Sequence, residues 1–433
     1  MRTRFAFGKN GIEVTVPDEI RCEVVRSRAA RALDDAAGAL GAALDGPISC
    51  EPLVRLAAGK RTAAIAVCDI TRPAPNRLTL PPLLKRLDEA GIPVEGISIL
   101  IATGLHRAAA REELDAILGP EIAAKYRVAS HDARDFAAHR ALGVTRRETP
   151  VYIDERFVAA DLHITLGLVE PHLMLGFSGG RKMIAPGLAS QETIKAVHAP
   201  RFVREPLATE GSIDRNPVHD ELVKIAAMAR HDFILDVTLT RERKISGVFA
   251  GHPLEAHAAA VEFYERTSLT WLDEPADAAI ACAAGYPLDL TFYQCLKGLS
   301  AAQHIVKPGG RILLLGECAE GAGSAEYARQ LKAYPGHARF LESVRNAEVK
   351  IDQWQLEQIA LLGLRYELQF YTPGVAKDGL GSLGAMAFGN LDEAVAALVE
   401  GLAPGARVAL LPDGPYTYAR AMPLLAEVPA ELR

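Results

Sequence analysis

The 433-residue chain contains no C-x-x-C pair. Its six cysteines, Cys22, Cys50, Cys68, Cys282, Cys295 and Cys318, are scattered, which excludes a zinc knuckle and a thioredoxin-like redox motif. No uninterrupted apolar run approaches the ~20 residues of a membrane span. Positive charge is not in excess either. The formal net charge is -6, so nothing favours a nucleic acid or an anionic membrane as partner. A Walker phosphate loop is absent. In Gly179-Gly180-Arg181-Lys182-Met183 an arginine separates glycine from lysine, and methionine stands where a hydroxyl residue is required. A dinucleotide fingerprint is absent too, because its closest approach, Gly321-Ala322-Gly323-Ser324-Ala325-Glu326, lacks the third glycine. The chain has 12 histidines but no H-E-x-x-H and no Cys/His cluster. The start, MRTRFAFGKNGIEVTVP, reads as strand, glycine turn and strand rather than as a signal peptide. With the dispersed cysteines, it fits a reducing cytoplasm, so a cytoplasmic location is expected.

What is present is an alternation. The chain is 49% hydrophobic, enough for a large core and two or three domains. Short apolar runs at 62–68, 96–102 and 161–167 read as buried strands. Between them, 81–90 and 111–118 have helical spacing, with the prolines of the first placed at its start. The pattern resumes after residue 275, with strands at 276–284, 309–316 and 406–412 and a helix entered through 292–298. It predicts an α/β fold of two domains with mainly parallel sheets, covered on both faces. The acidic, proline-containing stretch 269–277 marks the boundary, giving domains at 1–271 and 272–433. A last helix is expected over 418–426.

The chemistry-bearing residues follow strand ends, the edge where open α/β sheets bind ligands. Asp69 and Arg72 lie in CDITRP, His106 in ATGLHR and His172 in VEPHLM. An Asx turn with a solvent arginine, and structural histidines, would account for each alone. Two histidine loops on one edge suit acid–base work. Lys182 follows the glycine pair, and His198 ends a helical run over 190–197, where a surface histidine near a helix C-terminus is the plain alternative. A phosphate loop fails for the reasons above, while a metal site and a covalent lysine site stay open. A metal at His198 would have one evident protein ligand. In FYQCLKG, Tyr293, Gln294 and Lys297 occupy the first turns of a helix, where a carboxylate or phosphate site competes with a solvated face. Trp354 reads as packing.

Together these stretches resemble the nickel-pincer lactate racemase family and its relatives acting on other 2-hydroxy acids, over nearly the whole chain. The resemblance rests on D-x-T-R-P (69–73), T-G-x-H-R (103–107), E-P-H (170–172), S-G-G-R-K (178–182), His198 and Y-Q-x-x-K (293–297), in this order and spacing. It implies a racemase or epimerase of a 2-hydroxy acid such as lactate or malate. The reaction would be a proton-coupled hydride transfer, in an active site set in the cleft between two α/β domains. The cofactor implied is nickel held by a pyridinium-3-thioamide-5-thiocarboxylic acid mononucleotide, attached covalently to Lys182 and made by cofactor-synthesis proteins that meet the chain transiently. His198 would complete the nickel coordination, which soft sulfur donors and near-planar geometry suit. The family pattern assigns His106 and His172 as the two bases, and Arg72, Gln294 and Lys297 to the substrate. Asp69 and Tyr293 would assist at the cofactor, and Arg107 is a spare cation for a second carboxylate. The alternatives are an NAD-type oxidoreductase, disfavoured by the missing glycine fingerprint, and a non-catalytic carrier of the pincer, which would not need both His106 and His172.

Overall fold

Continuous apolar runs make strands that are buried on both faces. Ala63–Cys68 and Leu162–Leu168 are buried at every position, as the interior of a parallel sheet requires. A computed structural model describes residues 1–28 and 30–422. The chain forms two compact units, Ala29–Thr267 and Met1–Arg28 with Ser268–Arg433. Both are α/β, as expected.

The larger unit is built on a six-stranded sheet. Its order is Ile245–Gly251, Phe233–Leu239, Leu162–Leu168, Ala63–Cys68, Ile97–Ala102, Arg127–Ser130. All neighbours are parallel except the Ile245–Gly251 edge strand. Ile65, Val67, Ile99, Ile101, Ile164 and Leu166 fill its core with helix residues Leu80, Leu83 and Leu87. Each such side chain contributes about 1.5–3 kcal/mol of burial. From Ala63–Cys68 the chain first builds outward through Ile97–Ala102 and Arg127–Ser130, then returns to lay Leu162–Leu168 on the other side. That reversal is a topological switch point, where open α/β sheets form their ligand crevice, here at the C-terminal ends of Ala63–Cys68 and Leu162–Leu168.

The smaller unit has a five-stranded, wholly parallel sheet in the order Glu367–Tyr371, Val306–Leu315, Ala276–Cys282, Arg407–Leu411, Arg21–Val24. The Phe292–Ala302 helix packs on it through Phe292, Cys295, Leu296 and Leu299. The glycine turn near the start joins Arg2–Phe5 to Ile12–Thr15 as an antiparallel pair, as expected.

Three expectations need correcting. Residues 1–28 fall in the smaller unit, not with the N-terminal domain, because Arg21–Val24 completes the edge of its sheet. The chain passes between units at 267/268, close to the expected boundary. The helix expected over 81–90 starts earlier, at Asn76, and carries Pro81 and Pro82 inside it. The fold tolerates the missing N–H groups because the carbonyls they would have served belong to Arg77 and Leu78, which are exposed to water. The expected helix over 418–426 begins as a strand, Ala419–Ala421, paired in parallel with Thr270–Leu272; its remainder lies outside the described residues.

Candidate functional site

The crevice of the larger unit collects the motifs and ties them together. Asp69, one residue past its strand and buried, accepts hydrogen bonds from Thr71 N–H at 3.2 Å and Thr71 Oγ1 at 2.6 Å. The other carboxylate oxygen, Oδ2, lies 2.6 Å from His106 Nδ1. Burial pushes the Asp69 carboxyl up, but the bonds from His106 and Thr71, with the charge of Arg72, outweigh it and hold it below its ordinary value. An ionised Asp69 must accept, so His106 carries its proton on Nδ1 and its lone pair on Nε2. The His106 side chain is 47% exposed, so that nitrogen belongs to a solvent-accessible ring.

His172 is held differently. The chain doubles back through the short antiparallel pair Pro171–His172 and Gly176–Phe177. The N–H groups of Met174 and Leu175 both point at His172 Nδ1, each at 3.3 Å. Two donors there require the lone pair on Nδ1, so the neutral ring carries its proton on Nε2. The two histidines are thus set in opposite tautomers.

Glu170, in the same motif, was given no role on sequence. Its carboxylate pairs with Arg72, across the crevice from one strand end to the other. Ser178 then ties Glu170 to the lysine turn: Ser178 N–H donates to Glu170 O at 2.9 Å, and Glu170 N–H to Ser178 Oγ at 3.1 Å. Arg107 grips Glu113 with both arms at 2.6 Å, so its fork is already engaged by a carboxylate.

The glycine pair has a steric reason. Gly179 and Gly180 have φ of +83° and +47°, in the left-handed region. A Cβ on Gly179 would come within 2.6 Å of Asp236 Oδ2, and one on Gly180 within 3.2 Å of the His257 ring. The turn Gly180–Met183 therefore lies directly over a buried carboxyl. Burial raises Asp236 to about 7, against the Gly180 and Gly167 N–H groups and the Arg181 charge. Arg181 is buried with it and donates to the carbonyls of Leu175 at 3.0 Å and Phe177 at 2.9 Å. Burial lowers its pKa to about 10. Arg181 anchors the turn from below, and half-buried Lys182 is the side chain the turn presents. Asp236 escaped the sequence reading, although a lone acid inside the apolar strand FILDVTL was a signal.

Ser190 caps the Gln191–Val197 helix by accepting from Thr193 N–H at 3.3 Å, and His198 ends it. His198 Nδ1–H donates to Ile194 O at 2.7 Å, which leaves the lone pair on Nε2. Burial and, to a lesser degree, the nearby charge of Lys182 lower its pKa to about 4, against the bond to Ile194 O. The surface-histidine alternative is excluded, since His198 is only 9% exposed. A buried neutral imidazole fixed through Nδ1 by a carbonyl is the form that ligates metals. Among the described residues no group of three or more His, Cys, Asp or Glu is arranged to hold a metal. A metal on His198 would therefore draw its other donors from a bound molecule, and Lys182 lies within electrostatic reach to anchor one.

In the smaller unit, Tyr293, Gln294 and Lys297 sit in the first turns of Phe292–Ala302. The Tyr293 phenol accepts from Trp354 Nε1–H at 3.1 Å, and burial drives its pKa well up. Trp354 packs as expected and also holds the tyrosine. Gln294 Oε1 is buried without a hydrogen-bond partner, a state that calls for a donor from outside the fold.

These features define an α/β protein with histidines, an arginine and a lysine gathered near the strand ends of one sheet. Family models for the lactate racemase N-terminal domain and the lactate racemase C-terminal domain match residues 7–211 and 272–416, and the chain belongs to this family. It is 31% identical to the lactate racemase of Thermoanaerobacterium thermosaccharolyticum over 94% of this chain and 96% of that one. It is 33% identical to the lactate racemase of Lactiplantibacillus plantarum over 86% and 88%. The solved lactate racemase apoprotein from T. thermosaccharolyticum superposes with a TM-score of 0.87 at 30% identity, covering 97% of this chain and 100% of that chain. No described helix is long and apolar enough to cross a membrane.

Proposed function

We propose that the protein interconverts the enantiomers of a 2-hydroxy acid, with His106 and His172 as the two bases. The observation carrying this reading is the crevice itself: a carboxylate-held histidine and a backbone-held histidine share one strand-end edge with an arginine. Inverting C2 requires a group on each face that can take the hydroxyl proton and return it. His106, with its Nε2 lone pair, is set to accept the hydroxyl proton, and His172 returns one from Nε2 when it is in its imidazolium form, so that the pair holds one exchangeable proton between them. Each ring reverses its role when the opposite enantiomer binds. Arg72 and Lys297 hold the carboxylate and polarise its neighbourhood, with Gln294 assisting.

The residues fit a nickel-pincer nucleotide. Lys182 would carry it through a thioamide, His198 Nε2 would ligate the nickel, and Asp69 and Tyr293 would assist in binding it. When bound, this group supplies the acceptor for the C2 hydride. The remaining work falls to the protein, which orients the substrate, moves the hydroxyl proton and keeps water out.

The test is intact-protein mass and metal analysis on chain produced alongside the cofactor-synthesis proteins, followed by polarimetry on a panel of 2-hydroxy acids. A mass adduct on Lys182 with nickel, and loss of optical rotation from lactate or malate, is expected. Unmodified, nickel-free protein that still racemises would contradict the cofactor; loaded protein inert on every acid would contradict the racemase.

A further inference from the structure

Glu170 has no part in that scheme, yet it makes the sole side-chain hydrogen bond to Arg72 among the described residues. We propose that Glu170 is a positioning residue: its carboxylate fixes the Arg72 guanidinium so that the substrate carboxylate docks on the donors left over. The proposal rests on the reading of Arg72 as the carboxylate grip.

Both partners are pinned by their backbones. Arg72 sits in a turn closed by its own N–H to Asp69 O at 3.2 Å, and Pro73 follows it. The main chain of Glu170 is bonded on both sides to Ser178, and Pro171 follows. The two backbones are therefore held in place opposite each other, and in the proposal Glu170 acts as a brace rather than as a carboxylate that steps aside. The pair is largely shielded, with side chains 19% and 17% exposed, where an ion pair is less screened than on an open surface. A guanidinium has five N–H donors in a rigid fork. Glu170 takes one arm and orients the rest, and fixing the fork in advance lowers the ordering cost of gripping a second carboxylate. The other strand-end arginines are not substitutes. Arg107 is paired with Glu113, Arg156 with Asp154, and Arg181 is buried on backbone carbonyls.

The probe is 2-hydroxy-2-methylpropanoate, which has the carboxylate and hydroxyl but no hydrogen on C2 and so binds without turnover. Its dissociation constant is measured by calorimetry on cofactor-loaded protein, beside KM and kcat with a racemised substrate. Glu170→Ala should weaken probe binding and raise KM about tenfold or more, with kcat little changed, the loss expected for a hydrogen bond to a charged group. Glu170→Gln, whose amide oxygen can accept the same N–H, should stay much closer to the unaltered protein. If Glu170→Ala unfolds or loses nickel, Glu170→Asp, one methylene shorter, takes its place with the same expected rise. Unchanged binding, tighter binding (Glu170 then competes with substrate), or a Gln variant as poor as Ala would overturn the proposal. Arg72→Ala separates the two levels. If it binds the probe normally, the reading of Arg72 itself fails. If it binds poorly while Glu170→Ala binds normally, only the brace fails.

Discussion

The two units carry their proposed residues in different ways. In the larger unit, Asp69 and Arg72 share one turn, His106, His172 and Lys182 lie on three other loops and turns, and His198 ends a helix. What joins the loops is side-chain chemistry: His106 to Asp69, Arg72 to Glu170, and Ser178 to Glu170. In the smaller unit, Tyr293, Gln294 and Lys297 lie within one helix start, and local helical spacing alone groups them. Proton transfer and metal ligation depend on which ring nitrogen holds a proton, and only a fixed partner sets that. Gripping a carboxylate needs a donor at a roughly correct place, which one helix end supplies. The contrast predicts that changes at His106, His172, Lys182 and His198 of the larger unit abolish chemistry, while changes in the smaller unit weaken binding.

The largest effect should come from Lys182→Ala. It should remove both the covalent adduct and the nickel and leave a folded, inactive chain, read by intact mass and metal analysis. Full nickel content and activity would refute the anchor. His198→Ala should keep the adduct but hold nickel poorly, since the lysine bond does not depend on the imidazole; unchanged occupancy and turnover would remove His198 from the metal. A milder effect is expected across the comparison, in the smaller unit. Lys297→Ala should raise KM about tenfold to a hundredfold, the range for losing a charged hydrogen bond, with kcat less affected. A collapse of kcat at unchanged KM would erase the distinction between the units.

The smallest effect is on acid stability. His198, His219 and His231 have pKa values lowered to about 4, 3 and 3, and His257 lies well below its ordinary value, chiefly through burial. All four belong to the larger unit; among the described residues of the smaller, His304 and His337 are lowered in the same way. Unfolded histidine titrates near ~6.5, so between that pH and the folded values the unfolded chain binds more protons. Stability should therefore fall as pH drops from about 6.5 towards 4, by up to about 1.4 kcal/mol per pH unit for each buried histidine. Asp236, raised to about 7, acts in the opposite sense, because its contribution is lost as pH rises from about 4 through 7. Urea melts at pH 7 and pH 5 should show the loss at pH 5, with probes in the larger unit responding first. Equal stability at both would mean that these rings are hydrated.

Much of this was legible in the chain. The apolar strands at 62–68, 96–102 and 161–167 announced a parallel sheet, because burial on both faces leaves no room for polar alternation. Residues 1–28 were misassigned because joining a sheet edge is a long-range event with no local mark. Pro81 and Pro82 misled because proline is commonest in the first turn of a helix, whereas here the helix already starts at Asn76. Asp69 and His106 were each visible, but their bond spans two loops and appears only in the fold. Glu170 stood inside a motif and went unread, since its partner lies on another strand end.

The central claim is that two histidines act on opposite faces of one substrate. Interconverted enantiomers are equally stable, so any variant must lose kcat/KM equally in both directions; the asymmetry can show only within a single turnover. Cofactor-loaded His106→Ala and His172→Ala are each mixed with each pure enantiomer, and the cofactor spectrum and optical rotation are followed together. The account predicts that both variants lose racemisation in both directions by a factor of about 10²–10⁴, while each still gives the spectral change with one enantiomer, and with opposite ones. Near-normal racemisation by either variant, at confirmed cofactor loading, would contradict it.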